Sequence, residues 1–255
     1  MTWVESASRS FRARHDAAAR DDAERVLHSL ELTREELEQH FPTTVAGLTV
    51  VLHRSGGSLA LACPSLAPIW LLTAPAARRY LAGWVGRHEL HVLEPAALSR
   101  RASSVPGSRE MLELTPAALY ARRVIDESNR ELRSRSQAAR LRVELQWGWL
   151  LEGTARWFVG QTEHARPAIA RRLREGAAPR FPPSVRDALL LGGSIVDLLA
   201  REQGEHAAAR LACGLDRRGP RPALVSAFGG VPFRQIEASW RTHLQRLASP
   251  SYARS

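Results

Sequence analysis

Apolar positions recur along the chain with two different periods, and each period predicts a different element. Residues 16–40 carry Val26, Leu27, Leu30, Leu32 and Leu37 at helical spacing and predict a long helix. Thr33-Arg34-Glu35-Glu36 has the spacing of a capping box, and Phe41-Pro42 supplies the stop. The preceding residues, 1–15, are polar and arginine-rich and read as a frayed start or the first turn of a helix. Leu48 to His53 is rich in β-branched residues and predicts a strand. Ser55-Gly56-Gly57-Ser58 reads as a turn, and Leu59 to Cys63 as a further short strand. Residues 74–86 suit a helix closed by Gly86. His88 to Leu93 predicts another strand, with His88, Leu90 and Val92 on one face and Glu89, His91 and Leu93 on the other.

From about residue 116 the pattern is helical throughout. Pro116 is placed to open a helix carrying Tyr120, Val124, Glu127 and Arg130. A second helix is expected over 136–161, where the glycines mark close packing as easily as breaks. Further helices are expected over 163–172 and 184–202, separated by a loop from Gly176 to Pro183. Three more are expected over 205–214, 221–228 and 233–247. The fold class is therefore α+β, mainly helical. An N-terminal helix and small mixed α/β sheet lobe occupy 1–115, and a C-terminal helical lobe occupies 116–255, in one continuous fold.

Composition narrows the class. With 255 residues, 44 % of them hydrophobic, the chain can bury a sizeable core. No apolar run is long enough to cross a bilayer, and the first residues lack the apolar centre of a secretory signal. The expected compartment is the cytoplasm, with no membrane partner. The net charge of +10 invites a nucleic-acid reading. All 36 basic residues are arginine, however, and alanine is abundant, a bias that suits a GC-rich coding sequence. The arginines are spread through helices beside Glu and Asp, and aromatics are only 6 %, with no stacking platform among them. Specific nucleic-acid binding is not expected; non-specific attraction to anions is.

Several residues could carry chemistry. Cys63 and Cys213 are too few for a disulfide scaffold or a thiolate cluster, and no histidine is placed beside either. His88-Glu89-Leu90-His91 tempts a metal reading, but in a strand those two histidines point to opposite faces. No phosphate-binding glycine loop is present. Trp149 and Trp157 lie eight residues apart and can share a helix face, most simply in the core. Asp126, Glu127, Arg130 and Glu131 can form a solvated face of charge pairs. Glu152 sits in an apolar helix between Leu151 and Gly153, and an acid there needs a partner.

Trp149-Leu150-Leu151-Glu152-Gly153-Thr154-Ala155 resembles the glutamate-bearing helix of the gluzincin metallopeptidases, specifically their "peptidase MA-like" group. The tail adds to the resemblance through Gly193-Ser194, Gly204-Glu205, Ala227-Phe228-Gly229, Ile236-Glu237 and Trp240-Arg241. So does the front, through FPTTVAGLTVVLH and HELHVLEP, and the likeness runs from about residue 20 to 247. In that family an H-E-x-x-H helix supplies two zinc histidines and a glutamate base, and the later helix supplies the third ligand. The resemblance implies that Glu152 matches the third ligand. It places Asp126-Glu127-Ser128-Asn129-Arg130 at the metal helix, with Glu127 in the base position 25 residues before Glu152.

The metal chemistry fails in that register. Two histidines at i and i+4 reach one zinc from one helix face. Here the pair is Asp126 and Arg130, and a guanidinium has no lone pair to give and a fixed positive charge. The expectation is a vestigial cleft without metal, cofactor or catalytic residue, in which Asp126, Glu127 and Glu152 converge on Arg130. Arg156, four residues after Glu152, is the competing partner. The function expected is that of a catalytically inactive peptidase-like protein able to bind a peptide or protein in the old cleft. The alternatives are an active zinc-dependent peptidase with other ligands and an unrelated helical interaction or regulatory domain.

Overall fold

In this computed structural model the described residues are 3–129, 132, 137–175 and 177–249. The chain opens with a hairpin, β1 (Trp3–Ala7) and β2 (Phe11–Asp16), where a frayed or helical start was expected. Its alternation explains the difference. Phe11, Ala13 and His15 point inward while Arg12 and Arg14 point to solvent, so the arginines are the outer half of a strand. A 3-10 turn, capped by the Asp16 carboxylate accepting from the Ala18 N–H, leads into α1 (Arg20–Leu37). Helix α1 buries Val26, Leu27, Leu30 and Leu37 as expected, but Leu32 is exposed. Thr33 is not a cap; it lies within the helix and donates to the Ser29 carbonyl.

Strand β3 (Leu48–His53) follows. The next run is helical: α2 (Gly56–Ala62), α3 (Leu66–Leu72) and the single turn α4 (Pro75–Arg78). The expected turn at Ser55–Ser58 is the start of α2. Ser55 and Ser58 form a capping box, each side chain accepting from the other's backbone N–H. The expected strand over 59–63 fails because a short apolar run fits a buried strand or a buried helix equally well. The expected helix over 74–86 also fails, since β4 (Gly83–Val85) begins inside it. Gly83 lies against the His91 carbonyl and Leu119, where a side chain would not fit. Strand β5 (Glu89–Leu93) forms where predicted.

The sheet has the order β1-β2-β3-β5-β4. Strands β2, β3 and β5 run parallel, and β1 and β4 are antiparallel edges. One face, with Phe11, Leu48, Val50, Leu52, Leu90 and Val92, is buried in the main core. The other carries Thr49, Val51, His53, Glu89 and His91.

The helical part comprises α5 (Pro95–Arg101), α6 (Ser108–Glu113) and α7 (Thr115–Ser128), then α8 (Gln137–Phe158), α9 (Gln161–His164) and α10 (Arg166–Arg174). It closes with α11 (Ala188–Gln203), α12 (Glu205–Cys213), α13 (Pro220–Ala227) and α14 (Phe233–Ala248). The expected start of the second helix at 136, and Gly176 in the expected loop, lie outside the described residues. The fold is mixed α/β, mostly helical, with a small N-terminal mixed sheet. Helix α7 links its parts: Tyr120 meets Phe11 edge-on at 5.0 Å and donates to the Val45 carbonyl at 3.0 Å, while α8 packs beside α7. Helices α8 and α11 cross at glycine, with Gly153 against the backbone of Gly192 and Gly192 against the Trp149 carbonyl.

Candidate functional site

The densest set of buried charges lies between α7 and α8, and its centre is Arg122. This side chain is 5 % exposed, and each guanidinium nitrogen donates to a different carboxylate. Nε reaches Asp126 at 2.8 Å, Nη1 reaches Glu152 at 2.7 Å, and Nη2 reaches Glu144. Asp126 is one turn along α7 from Arg122, while Glu144 and Glu152 project from α8 at positions eight apart, two turns of the same face. The planar fork of arginine fits this arrangement because its donors point in three directions at once.

Arg156 extends the network. Its Nε lies 3.6 Å from Glu152, and its Nη1 donates to Gln161 Oε1 at 2.6 Å. Gln161 passes the chain of bonds to the Met111 carbonyl. Three carboxylates thus face two guanidiniums, an excess of one negative charge when all are ionised. Burial opposes the charge on Arg122, but Asp126, Glu144 and Glu152 outweigh it and hold its pKa well above the usual value. Burial lowers the pKa of Arg156, and Glu152 offsets only part of that. Although 32 % of the Glu144 side chain meets solvent, the packing around it is dense enough for burial to push its carboxyl up. Arg122 pulls it back, while Asp126 and Glu152 add to the push.

The sequence-predicted residues divide at this point. Asp126, Glu152 and Arg156 are brought together. Glu127 pairs instead with Arg123 at 2.8 Å, and Arg123 also donates to the Arg87 carbonyl. Arg130 and Glu131 lie outside the described residues, and the helix expected to carry Arg130 closes at Ser128. Asn129 is extended at that end, and its amide donates to the Ala212 carbonyl, tying α7 to α12. Among the described residues, the arginine at the centre of the cluster is Arg122, four positions before Asp126. Both registers place an arginine at i±4 from Asp126, and sequence spacing alone does not separate them. Glu144 was missed because it reads as one more charge in a helix rich in arginine. Its signal is the eight-residue spacing to Glu152.

Two other polar groups were not expected. Asp197 accepts from Trp157 Nε1 at 3.1 Å and Arg201 Nε at 3.0 Å, and its Oδ2 lies 2.8 Å from His243 Nε2. Burial works against its charge, yet these partners lower its pKa to about 2. On the outer face of the sheet, His53 Nε2 lies 3.1 Å from His91 Nδ1, with the rings stacked at 5.4 Å. Burial, with His91 beside it, lowers the pKa of His53 to about 4. His91 therefore neighbours His53, across parallel strands, rather than His88. Among the described residues no group of three or more His, Cys, Asp and Glu side chains is arranged to hold a metal ion. Comparison with protein-family models, with curated proteins and with solved structures returns no match.

Proposed function

We propose that the protein is a non-catalytic, gluzincin-like scaffold that acts by binding a peptide or protein segment in a vestigial cleft beside α7 and α8. The observation that carries this reading is the saturation of Arg122. Its three nitrogens engage Asp126, Glu144 and Glu152, so the fixed charge of a guanidinium stands among carboxylates that would otherwise be available to a dication. A general base or metal ligand needs a lone pair directed at a reactant, and in this cluster Arg122 takes up those directions. Among the described residues the i, i+4 pair that meets Glu152 is Arg122 and Asp126, and this reading takes that pair, one helical turn before Asp126 and Arg130, as the register of the lost motif.

The test restores two imidazoles in the new register. The chain carrying Arg122→His and Asp126→His is expected to bind zinc with about micromolar affinity, through both imidazoles and Glu152. Adding Glu152→Gln is expected to weaken that affinity tenfold or more, while the unaltered protein holds no stoichiometric zinc and cleaves no peptide. Affinity indifferent to Glu152→Gln, or about one zinc per unaltered chain by elemental analysis, overturns the reading.

A further inference from the structure

The segment that covers the outer face of the sheet is built differently from the rest of the chain. Between Glu38 and Glu89 there is no acidic residue, and from Gly56 to Ala77 there is no charged residue at all. Helices α2 and α3 lie in this stretch and hold to the fold by a narrow stripe: Leu59, Cys63 and Leu66 are buried at helical spacing. Apart from the half-buried Ile69, the remaining apolar side chains of the two helices face outward. Leu61 is 87 % exposed, Leu71 68 %, Leu72 55 % and Trp70 43 %. Four large apolar groups on one short segment form a patch of the kind that marks an interaction surface.

The margin of the patch is basic. Arg78 stacks on the Trp70 ring at 4.3 Å and donates to the Thr73 and Leu71 carbonyls, closing the end of α3. Arg186 is exposed, and its carbonyl accepts from the Ala74 N–H. Arg54, just before α2, and Arg100, whose guanidinium lies at the Arg54 carbonyl, keep 56 % and 66 % of their side chains exposed. Their carboxylate neighbours, Asp16 and Glu94, are at 3.6 and 3.9 Å, long contacts of little strength at a surface.

The geometry points to a peripheral membrane-docking face: α2 and α3 rest on a bilayer containing anionic lipid, with the leucines and Trp70 entering the interfacial region and the arginines meeting phosphates. Three features favour a bilayer over a macromolecular partner. The face offers leucine, alanine, proline and tryptophan with almost no side-chain hydrogen-bonding groups, which suits a fluid apolar phase. A tryptophan at the apolar-polar boundary is the side chain that prefers a headgroup level. The exposed charge at the margin of the patch is mainly arginine, with Asp16 and Glu94 largely covered, and so complements an acidic leaflet, in a chain of net charge +10. No helix among the described residues is long and apolar enough to cross a membrane, so the contact is with the surface alone.

The experiment is co-sedimentation of the full chain with large vesicles, either phosphatidylcholine alone or an equal mixture with phosphatidylglycerol. Binding to the mixed vesicles is expected to exceed binding to phosphatidylcholine by about tenfold or more, and to fall with added salt. Leu71→Ser with Leu72→Ser is expected to remove that binding without lowering the melting temperature, because both side chains are outside the core. Arg100→Gln and Arg186→Gln are each expected to weaken it by about fivefold. Absence of binding to the mixed vesicles overturns the proposal. So does binding that the double serine variant retains, which is charge attraction alone. Light scattering supplies the third arm: a dimer that the double serine variant dissolves assigns the patch to a second copy of the chain and also overturns it.

Discussion

Arg122 shows how much one side chain can decide in a buried place. Its charge is held by three carboxylates, and its own removal takes away the cation that all three share, while Arg156 stays near Glu152. Breaking a buried ion network from one side costs more than the network contributes when whole, because the abandoned charges keep their desolvation penalty. Arg122→Met is therefore expected to lower the unfolding free energy by about 3–5 kcal/mol, read from urea denaturation. Arg122→Lys is expected to recover only part of the loss, since an ammonium cannot present three donors in the directions of Asp126, Glu144 and Glu152. The need of Glu152 for a partner was legible in its apolar surroundings. Which arginine supplies it was not, because Arg122, Arg130 and Arg156 all stand at plausible spacings.

At the scale of elements, the crossing of α8 over α11 turns on glycine. Helix propensity by itself favours alanine over glycine by about 1 kcal/mol at an interior position. At Gly192 a methyl group would meet the Trp149 carbonyl and the Gly153 Cα, atoms of another helix's backbone that cannot rotate away. Gly192→Ala is expected to destabilise by about 1–3 kcal/mol despite the gain in propensity, measured as a fall in the denaturation midpoint. A stabilised Gly192→Ala protein would show that the two backbones are not in contact. The glycines of α8 and α11 were visible in the sequence as departures from good helix formers; the structure assigns Gly153, Gly192 and Gly193 to close approach, while Gly148 meets no close neighbour and does not break α8. The two misread short elements have a common cause. Runs of five or so apolar residues between turn formers do not fix a period, so α2 passes for a strand and β4 for part of a helix.

At the scale of the whole molecule, His53 and Asp197 each build a step into acid stability. His53 carries a pKa lowered from 6.5 to about 4, so between those values the unfolded chain binds a proton that the folded one refuses. Stability therefore falls as pH drops through that window. Asp197 joins α8, α11 and α14 through Trp157, Arg201 and His243, and its pKa is lowered from 3.8 to about 2. Its contribution, on the order of 2 kcal/mol, is fully present above pH 3.8 and is lost as pH falls toward about 2. Unfolding free energies measured along a pH series are expected to show both declines. His53→Gln is expected to flatten the first and Asp197→Asn the second, each leaving the other in place. A single decline below pH 3.8 in the unaltered protein would mean that His53 titrates normally.

What the sequence determined by itself was set by local periodicity and by chemistry that no partner can alter. The long amphipathic helices appear close to their predicted bounds because each repeats its apolar face over several turns, as α1, α7 and α14 do. The strand Glu89–Leu93 is legible from its period of two, and Leu48–His53 from its β-branched residues. The tertiary structure decided what depends on juxtaposition. It placed Glu144 with Glu152 around Arg122, set His53 beside His91 across parallel strands, and turned an arginine-rich start into the hairpin at the edge of the sheet. It also decided that the uncharged stretch from Gly56 to Ala77 would bury Leu59, Cys63, Leu66, Thr73, Ala74 and Ala77 and present Leu61, Trp70, Leu71 and Leu72 to the outside. A charge or an apolar side chain carries no mark of its partner in sequence; only packing brings residues 122 and 152, or 53 and 91, within reach of one another.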